Sequence, residues 1–243
     1  MKNLIGISGK MQSGKDAVGK IILDLDDIVF PAISRVTKHN WQIKKFADKL
    51  KDIVCIILGC TREQLEDTNF KEKELGEEWA IWKVLLRNGS RFGGLYLDKK
   101  TAKYTSQFSS LQPTEVVKEI LTPRKILQLL GTECGREIIH PKIWVNALFT
   151  DYKPSIDHWI ITDVRFPNEV DAIRERGGII IRVNRKHGYV TPEGIWKEMP
   201  INYHESETAL DNYRFDYAID NNGSIEQLEK KVKEIYKHFL KIT

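Results

Sequence analysis

Short apolar, β-compatible runs alternate with amphipathic helical stretches along the chain. This alternation predicts an α/β fold, a doubly wound parallel sheet of about five strands with helices on both faces. Two further observations support it. A glycine-bearing turn joins the first strand to the first helix, and Trp159, Ile160 and Ile161 form an uninterrupted apolar run, as expected of a strand buried on both faces. No linker-like composition and no internal repeat interrupts the chain, so residues 1–243 read as one domain, with an insertion at about 61–121.

The elements follow from periodicity and punctuation. Residues 2–8 predict a strand, and Ala17, Val18, Ile21 and Ile22 recur at helical spacing over 16–24. Residues 42–47 predict a second strand that runs into a helix over 48–58, with Leu50, Ile53, Val54, Ile57 and Leu58 as its apolar face and Gly59 as its stop. Residues 61–86 read as further helix, with Thr61 as N-cap and Gln64 completing a capping box. Over 87–113 the pattern dissolves into Gly89, Gly93, Gly94, Lys99, Lys100, Lys103 and many hydroxyl residues. A mobile lid or a solvated insertion fits that composition, and an insertion that moves is the preferred reading. Thr122-Pro123 opens a helix carrying Ile126, Leu127, Leu129 and Leu130, with Gly131 as its stop, and Pro141 opens another through Trp144, Val145, Leu148 and Phe149. Residues 158–164 are a buried strand, 168–176 a helix, 178–183 a second buried strand, 217–220 a last strand, and 224–240 an amphipathic helix capped by Ser224.

Composition excludes several function classes. With 41% apolar and 30% charged residues the chain is an ordinary foldable domain. Its longest apolar run, residues 53–58, is far short of the roughly 20 residues that cross a bilayer, and the start has no secretory h-region, so a cytoplasmic location is expected. The net charge of +4 is dispersed and suits a small anion at least as well as a polynucleotide. Cys55, Cys60 and Cys134 have no metal-ligand spacing and read as reduced, mostly buried thiols. The histidines are scattered, and no nucleophile elbow accompanies them, which disfavours a hydrolase triad.

The chemistry begins at Gly9-Lys10-Met11-Gln12-Ser13-Gly14-Lys15-Asp16, which has the spacing of a phosphate-binding loop between a strand and a helix. Its glycines let backbone N–H groups converge on phosphate oxygens, the helix N-terminus adds positive potential, and Lys15 reaches the β and γ phosphates. Asp16 stands where a Ser or Thr usually contacts magnesium, and it is a candidate to hold the metal through water. Asp163 ends an apolar strand at the edge where open α/β sheets gather ligands; it either holds the metal or caps a helix. Arg165 and Glu169 follow, as an anion-directed guanidinium and a carboxylate on the same edge, or as a surface pair with each other. Transfer between two anionic reactants needs further cations, for which Arg124, Lys71, Arg136 and Arg185 are candidates.

Together, the segments 8–16, Arg124-Lys125-Ile126-Leu127-Gln128-Leu129-Leu130-Gly131-Thr132-Glu133 and Asp163-Val164-Arg165-Phe166-Pro167-Asn168-Glu169 resemble the deoxynucleoside monophosphate kinases of tailed bacteriophages, nearly end to end. In that family Asp also follows the loop lysine. The resemblance implies a P-loop nucleoside monophosphate kinase fold with a mobile acceptor-binding part and lid. It also implies an ATP- and Mg²⁺-dependent transfer of the γ-phosphoryl to a deoxynucleoside monophosphate, in phage DNA precursor synthesis. On this chain it puts ATP at Ser13, Gly14, Lys15, Asp16 and Asp220. It puts the acceptor at Lys10, Phe46, Arg124, Gly131, Thr132, Trp144, Asp163, Arg165 and Glu169, and Lys71, from the candidate cations, is added to that side. Lys15, Arg124 and Arg165 would carry catalysis, and Asp16 and Asp163 would serve the metal. A homodimer is implied, with nucleotides as the partners, no membrane and no stable nucleic-acid partner. Residues 186–214, including His204-Glu205-Ser206-Glu207, resemble other phage members but receive no role. A kinase for another phosphorylated metabolite or coenzyme precursor, and a nucleotide-dependent nucleic-acid-binding module, are the competing readings.

Overall fold

The computed structural model describes residues 3–29, 41–86, 94–96, 113–186, 188–190, 196–198 and 208–240. The chain divides into two compact units, Met1–Lys49 with Pro141–Thr243, and Leu50–His140. The segment expected as an insertion, about 61–121, falls inside the second.

The first unit is built on a five-stranded parallel sheet of β1 (Leu4–Gly9), β2 (Trp41–Lys44), β6 (His158–Val164), β7 (Ile179–Asn184) and β10 (Tyr217–Asp220), in the order β10-β7-β1-β6-β2. The first strand is therefore central; the chain runs from it to the edge strand β2, returns to β6 between them, and then crosses to β7 and β10 on the other side. On one face α1 (Lys15–Val29) and α8 (Ile225–Leu240) bury Val18, Ile21, Ile22, Leu228, Val232 and Tyr236 against Ile5, Ile7, Ile181 and Ile219. The opposite face carries α6 (Ile143–Phe149) and α7 (Pro167–Glu175), which bury Val145, Leu148, Phe149, Val170 and Ile173 against Leu4, Trp159, Ile161 and Ile180. Buried apolar area of this extent is the main source of the unit's stability. Gly19 lets α1 approach closely, because a Cβ there would lie 2.6 Å from Thr162 Cγ2. Residues 188–190 (β8) and 196–198 (β9) form an antiparallel pair.

In the second unit, α2 (Asp48–Leu58) continues past Leu50 and ends at Gly59 in the left-handed region (φ 63°). The capping box of Thr61 and Gln64 opens α3 (Arg62–Glu66), as expected. The long helix expected to Leu86 is not found. Asp67 ends α3 and caps α4 (Thr68–Glu72) by accepting from Phe70 N, and after a 3₁₀ turn at Glu77–Trp79 the chain becomes β3 (Ala80–Leu86). That strand pairs antiparallel with β4 (Gly94–Tyr96) and β5 (Pro113–Ile120). Ile81, Val84 and Leu85 are spaced for a helix as well as for a strand, and the pairing with β5 decides. The rest of 87–112, with Lys99, Lys100 and Lys103, lies outside the described residues, as do His187 and 199–207.

Gly131 is also not a helix stop. Helix α5 (Pro123–Gln128) passes into a π-helix over Leu129–Ile139, closed by His140 N donating to Gly135 O at 2.9 Å. Gly131 lies buried inside it, and a Cβ there would sit 3.0 Å from Leu50 Cδ2, so the glycine serves close packing. The thiols are more open than expected: Cys134 is exposed, and Cys55 and Cys60 are partly so. Among the described residues no helix is long and apolar enough to cross a membrane.

Candidate active site

The loop after β1 lies at the carboxyl edge of the sheet, beside the strand about which the winding reverses, where α/β folds place their ligands. Its shape rests on two left-handed residues, Gln12 (φ 60°) and Gly14 (φ 97°), and on Ser13 N donating to Lys10 O at 3.1 Å. Gly14 is required twice over: its φ disfavours other residues, and a Cβ would run into Asn221 Nδ2. Asn221 follows β10; its side-chain amide donates to Ser13 O at 2.9 Å, and its own N–H donates to Asn184 O at 2.7 Å. The loop is thus tied down from the sheet edge. Ser13 is buried, and its hydroxyl has no hydrogen-bond partner among the described residues.

Lys15, the first residue of α1, is buried, and its ammonium donates to Lys10 O at 2.7 Å. Burial lowers its pKa to about 8, helped by the positive charges of Arg165 and Arg182 and opposed by Asp16 and Asp163. Asp16 is exposed. Thr162 Oγ1 donates to its Oδ1 at 3.0 Å, and Lys45 Nζ pairs with the same oxygen at 2.8 Å. Desolvation pushes the Asp16 carboxyl up, but Lys45, Thr162 and Lys15 outweigh it and hold the group below the usual carboxylate range.

Between Gly6↔Ile161 and Ser8↔Val164 the register of β1 with β6 slips by one residue. This bulge lets Val164 join the cluster of Trp159 and Ile161 against strict alternation, and it aims two consecutive polar residues at different targets. Thr162 meets Asp16, whereas Asp163 accepts from Phe46 N (2.8 Å) and Ala47 N (3.0 Å). Asp163 therefore fastens the entry to α2 rather than capping the helix that follows it. Burial raises its pKa, against the lowering effect of those two N–H groups and of Arg165. Glu169 is buried, and its Oε2 accepts the backbone N–H of Arg165 (2.7 Å) and Phe166 (3.1 Å), which fixes the turn that carries Arg165.

The first unit thus brings Lys10, Ser13, Gly14, Lys15, Asp16, Phe46, Asp163, Arg165 and Glu169 to one sheet edge. Asp220 ends β10, with Asn184 Nδ2 at 3.4 Å from its carboxylate, and Trp144 is buried on α6. Lys71, Arg124, Gly131 and Thr132 belong to the second unit. There Lys71 pairs with Glu66 at 3.5 Å and Arg124 pairs with Glu72, while Arg136 donates to Gly131 O at 2.7 Å. Sequence reasoning missed Lys45, Arg182 and Asp211. Arg182 had a signal, a lone charge inside the apolar run of β7, whereas Lys45 and Asp211 look like surface charges until the fold is known.

This edge gathers a glycine-bearing loop, a buried lysine and the polar end of a central strand, and comparison with known proteins identifies the family. A family model of deoxynucleotide monophosphate kinases matches residues 3–232. The chain is 31% identical over 191 residues to a deoxynucleoside-5'-monophosphate kinase of Escherichia phage T5, covering 72% of this chain and 73% of that one. It is 25% identical over 255 residues to a deoxynucleotide monophosphate kinase of Enterobacteria phage T4, covering 96% and 98%. With the loop, its lysine and the polar end of β6 all in place on a doubly wound sheet, the chain belongs to the deoxynucleotide monophosphate kinase family.

Proposed function

We propose that the protein moves the γ-phosphoryl of ATP to the phosphate of a deoxynucleoside monophosphate, with the residues 9–16 holding ATP. The observation that carries this reading is Lys15, a buried ammonium at the mouth of a phosphate-binding loop, with the positive charge of Arg165 acting on it. An oxygen of the acceptor phosphate forms the new bond to the γ-phosphorus as the bond to the β–γ bridging oxygen breaks, and its electron pair leaves with ADP. That oxygen is already ionised, so no strong general base is needed. Positioning and charge neutralisation by Lys15, Arg124 and Arg165 supply the rate.

Ser13, Gly14, Lys15, Asp16 and Asp220 are assigned to ATP, and an incoming phosphate offers the unpartnered Ser13 hydroxyl an acceptor. Lys10, Phe46, Lys71, Arg124, Gly131, Thr132, Trp144, Asp163, Arg165 and Glu169 are assigned to the acceptor. Arg124 holds Glu72 in an exposed pair, which is worth about 0–1 kcal/mol and is cheaply exchanged for a phosphate, while Lys71 shares Glu66 with Lys51, which can keep that carboxylate when Lys71 turns to a phosphate. Asp16 fits a magnesium ion, because it is ionised, exposed and oriented by Thr162. Among the described residues no group of three or more metal-binding side chains exists, so the ion would be held jointly with the nucleotide's phosphates. Asp163 is the weaker metal candidate, since both its oxygens already accept N–H groups. When bound, the metal supplies charge neutralisation at the phosphates. A cytoplasmic setting in the infected cell, a homodimer and the lack of a stable nucleic-acid partner complete the reading.

The test is ADP release with ATP, Mg²⁺ and a panel of deoxy- and ribonucleoside monophosphates, with the products identified by chromatography. Fast turnover that depends on a deoxynucleotide acceptor is expected. Slow release indifferent to every acceptor would remove the second substrate from the reading.

A further inference from the structure

Residues 186–214 have no role from the sequence, yet their last described stretch, from 208 on, is built together with 215–216 onto the sheet. Leu210 is buried in the cluster beneath α6 and α7. Asp216 exchanges two hydrogen bonds with Ile180, its N–H donating to Ile180 O at 3.1 Å and its Oδ2 accepting from Ile180 N at 2.9 Å. Tyr213 donates its hydroxyl to Asp171 at 2.8 Å, and Arg174 donates to Arg214 O at 2.7 Å. The strap so fixed carries Asp211 to the phosphate-binding loop. Asp211 Oδ2 lies 3.2 Å from Lys10 Nζ, and its Oδ1 accepts from Arg182 NH2 at 2.8 Å. Arg182, nearly buried in β7, also donates to Ser8 Oγ at 3.1 Å, and Ser8 is its register partner on β1, just ahead of the loop.

We propose that Asp211 is a positioning residue for the phosphate-binding loop, its two oxygens holding Lys10 and Arg182 so that the loop is preformed for a nucleoside di- or triphosphate. A carboxylate near a phosphate site has two opposed effects. It repels the bound phosphate, but Asp211 is one-third exposed and this repulsion is screened by water. It also anchors a guanidinium that, left with the Ser8 hydroxyl and the face of the Phe215 ring, would be a buried charge without a counter-charge and would move, carrying Ser8 and the loop entry with it. The anchoring effect is the larger.

This inference rests on the reading of residues 9–16 as the ATP loop, and its test uses ADP binding, which needs no acceptor. Titration calorimetry with ADP on the full chain is expected to show affinity about tenfold weaker for Asp211→Asn, and largely restored in Asp211→Glu. Lys10→Met is expected to lose a similar factor, and the double variant Lys10→Met/Asp211→Asn to lose less than the product of the two single losses, since both break one pair. Tyr213→Phe, which loosens the strap away from the loop, should lower the melting temperature and leave ADP affinity unchanged. Should Asp211→Asn not fold, Lys10→Met and Asp211→Glu carry the test. Affinity that is unchanged or tighter in Asp211→Asn or Lys10→Met, or losses that simply multiply, would overturn the proposal. If the parent binds ADP but shows no acceptor-dependent turnover, the kinase reading fails while this inference stands.

Discussion

Replacing Lys15 by Met should stabilise the nucleotide-free protein while abolishing turnover. The Lys15 ammonium is buried with the charges of Arg165 and Arg182 acting on it, and its pKa falls from 10.5 to about 8. At about 1.4 kcal/mol per pH unit, keeping it charged costs the folded state about 3 kcal/mol at neutral pH. Methionine matches the volume without the charge but gives up the bond to Lys10 O, worth about 1 kcal/mol; that carbonyl still accepts from Ser13 N. A net gain of about 2 kcal/mol follows, or roughly 4–8 °C in Tm for a chain of this size. The folded pKa lies below the unfolded one, so the penalty is complete below pH 8 and relieved as pH rises from about 8 towards 10.5. The parent should gain on the variant over that window. Urea unfolding at pH 7 and pH 10 measures both, with ADP release assayed beside it. A variant less stable than the parent at pH 7, or a gap that stays constant with pH, would refute this account of Lys15.

Asp163→Asn should destabilise by about 1–3 kcal/mol, because an amide accepts from only one of Phe46 N and Ala47 N and points N–H at the other; an unmoved urea midpoint would show those bonds to be energetically idle. Gly14→Ala forces a side chain into a left-handed backbone and against Asn221, and ATP affinity measured by calorimetry should fall at least about tenfold. Arg165→Ala should raise the acceptor's KM, lower kcat or do both, with ATP affinity in the absence of acceptor little changed; kinetics equal to the parent's would return Arg165 to a surface role.

The sheet was readable because β1, β6 and β7 are short apolar runs bounded by turn residues, and the loop because its glycine spacing admits few other structures. Helix starts were readable where a side chain does the capping, as at Thr61 and Thr122. Two of the failures share one physical origin, tertiary partners that outvote local preference. Pairing with β5 turns Ala80–Leu86 into a strand, and the approach of Leu50 turns Gly131 from a stop into an interior residue. The site divides the same way. Lys15 and Asp16 are contiguous with the loop that needs them, whereas Lys45, Arg182 and Asp211 acquire meaning only when β2, β7 and the strap arrive beside it.

The tie from Asn221 to Ser13 has a consequence for the order of events on the ribosome. Residues 3–29 emerge before the rest of the sheet, yet β1 lacks both neighbours until residues 158–184 have been made, and the loop lacks its anchor until residue 221 has followed. A nascent chain halted before that point carries every glycine and lysine of the loop in the right order but has no fixed cradle. Nucleotide capture during synthesis should therefore switch on late and abruptly, as the last strand docks.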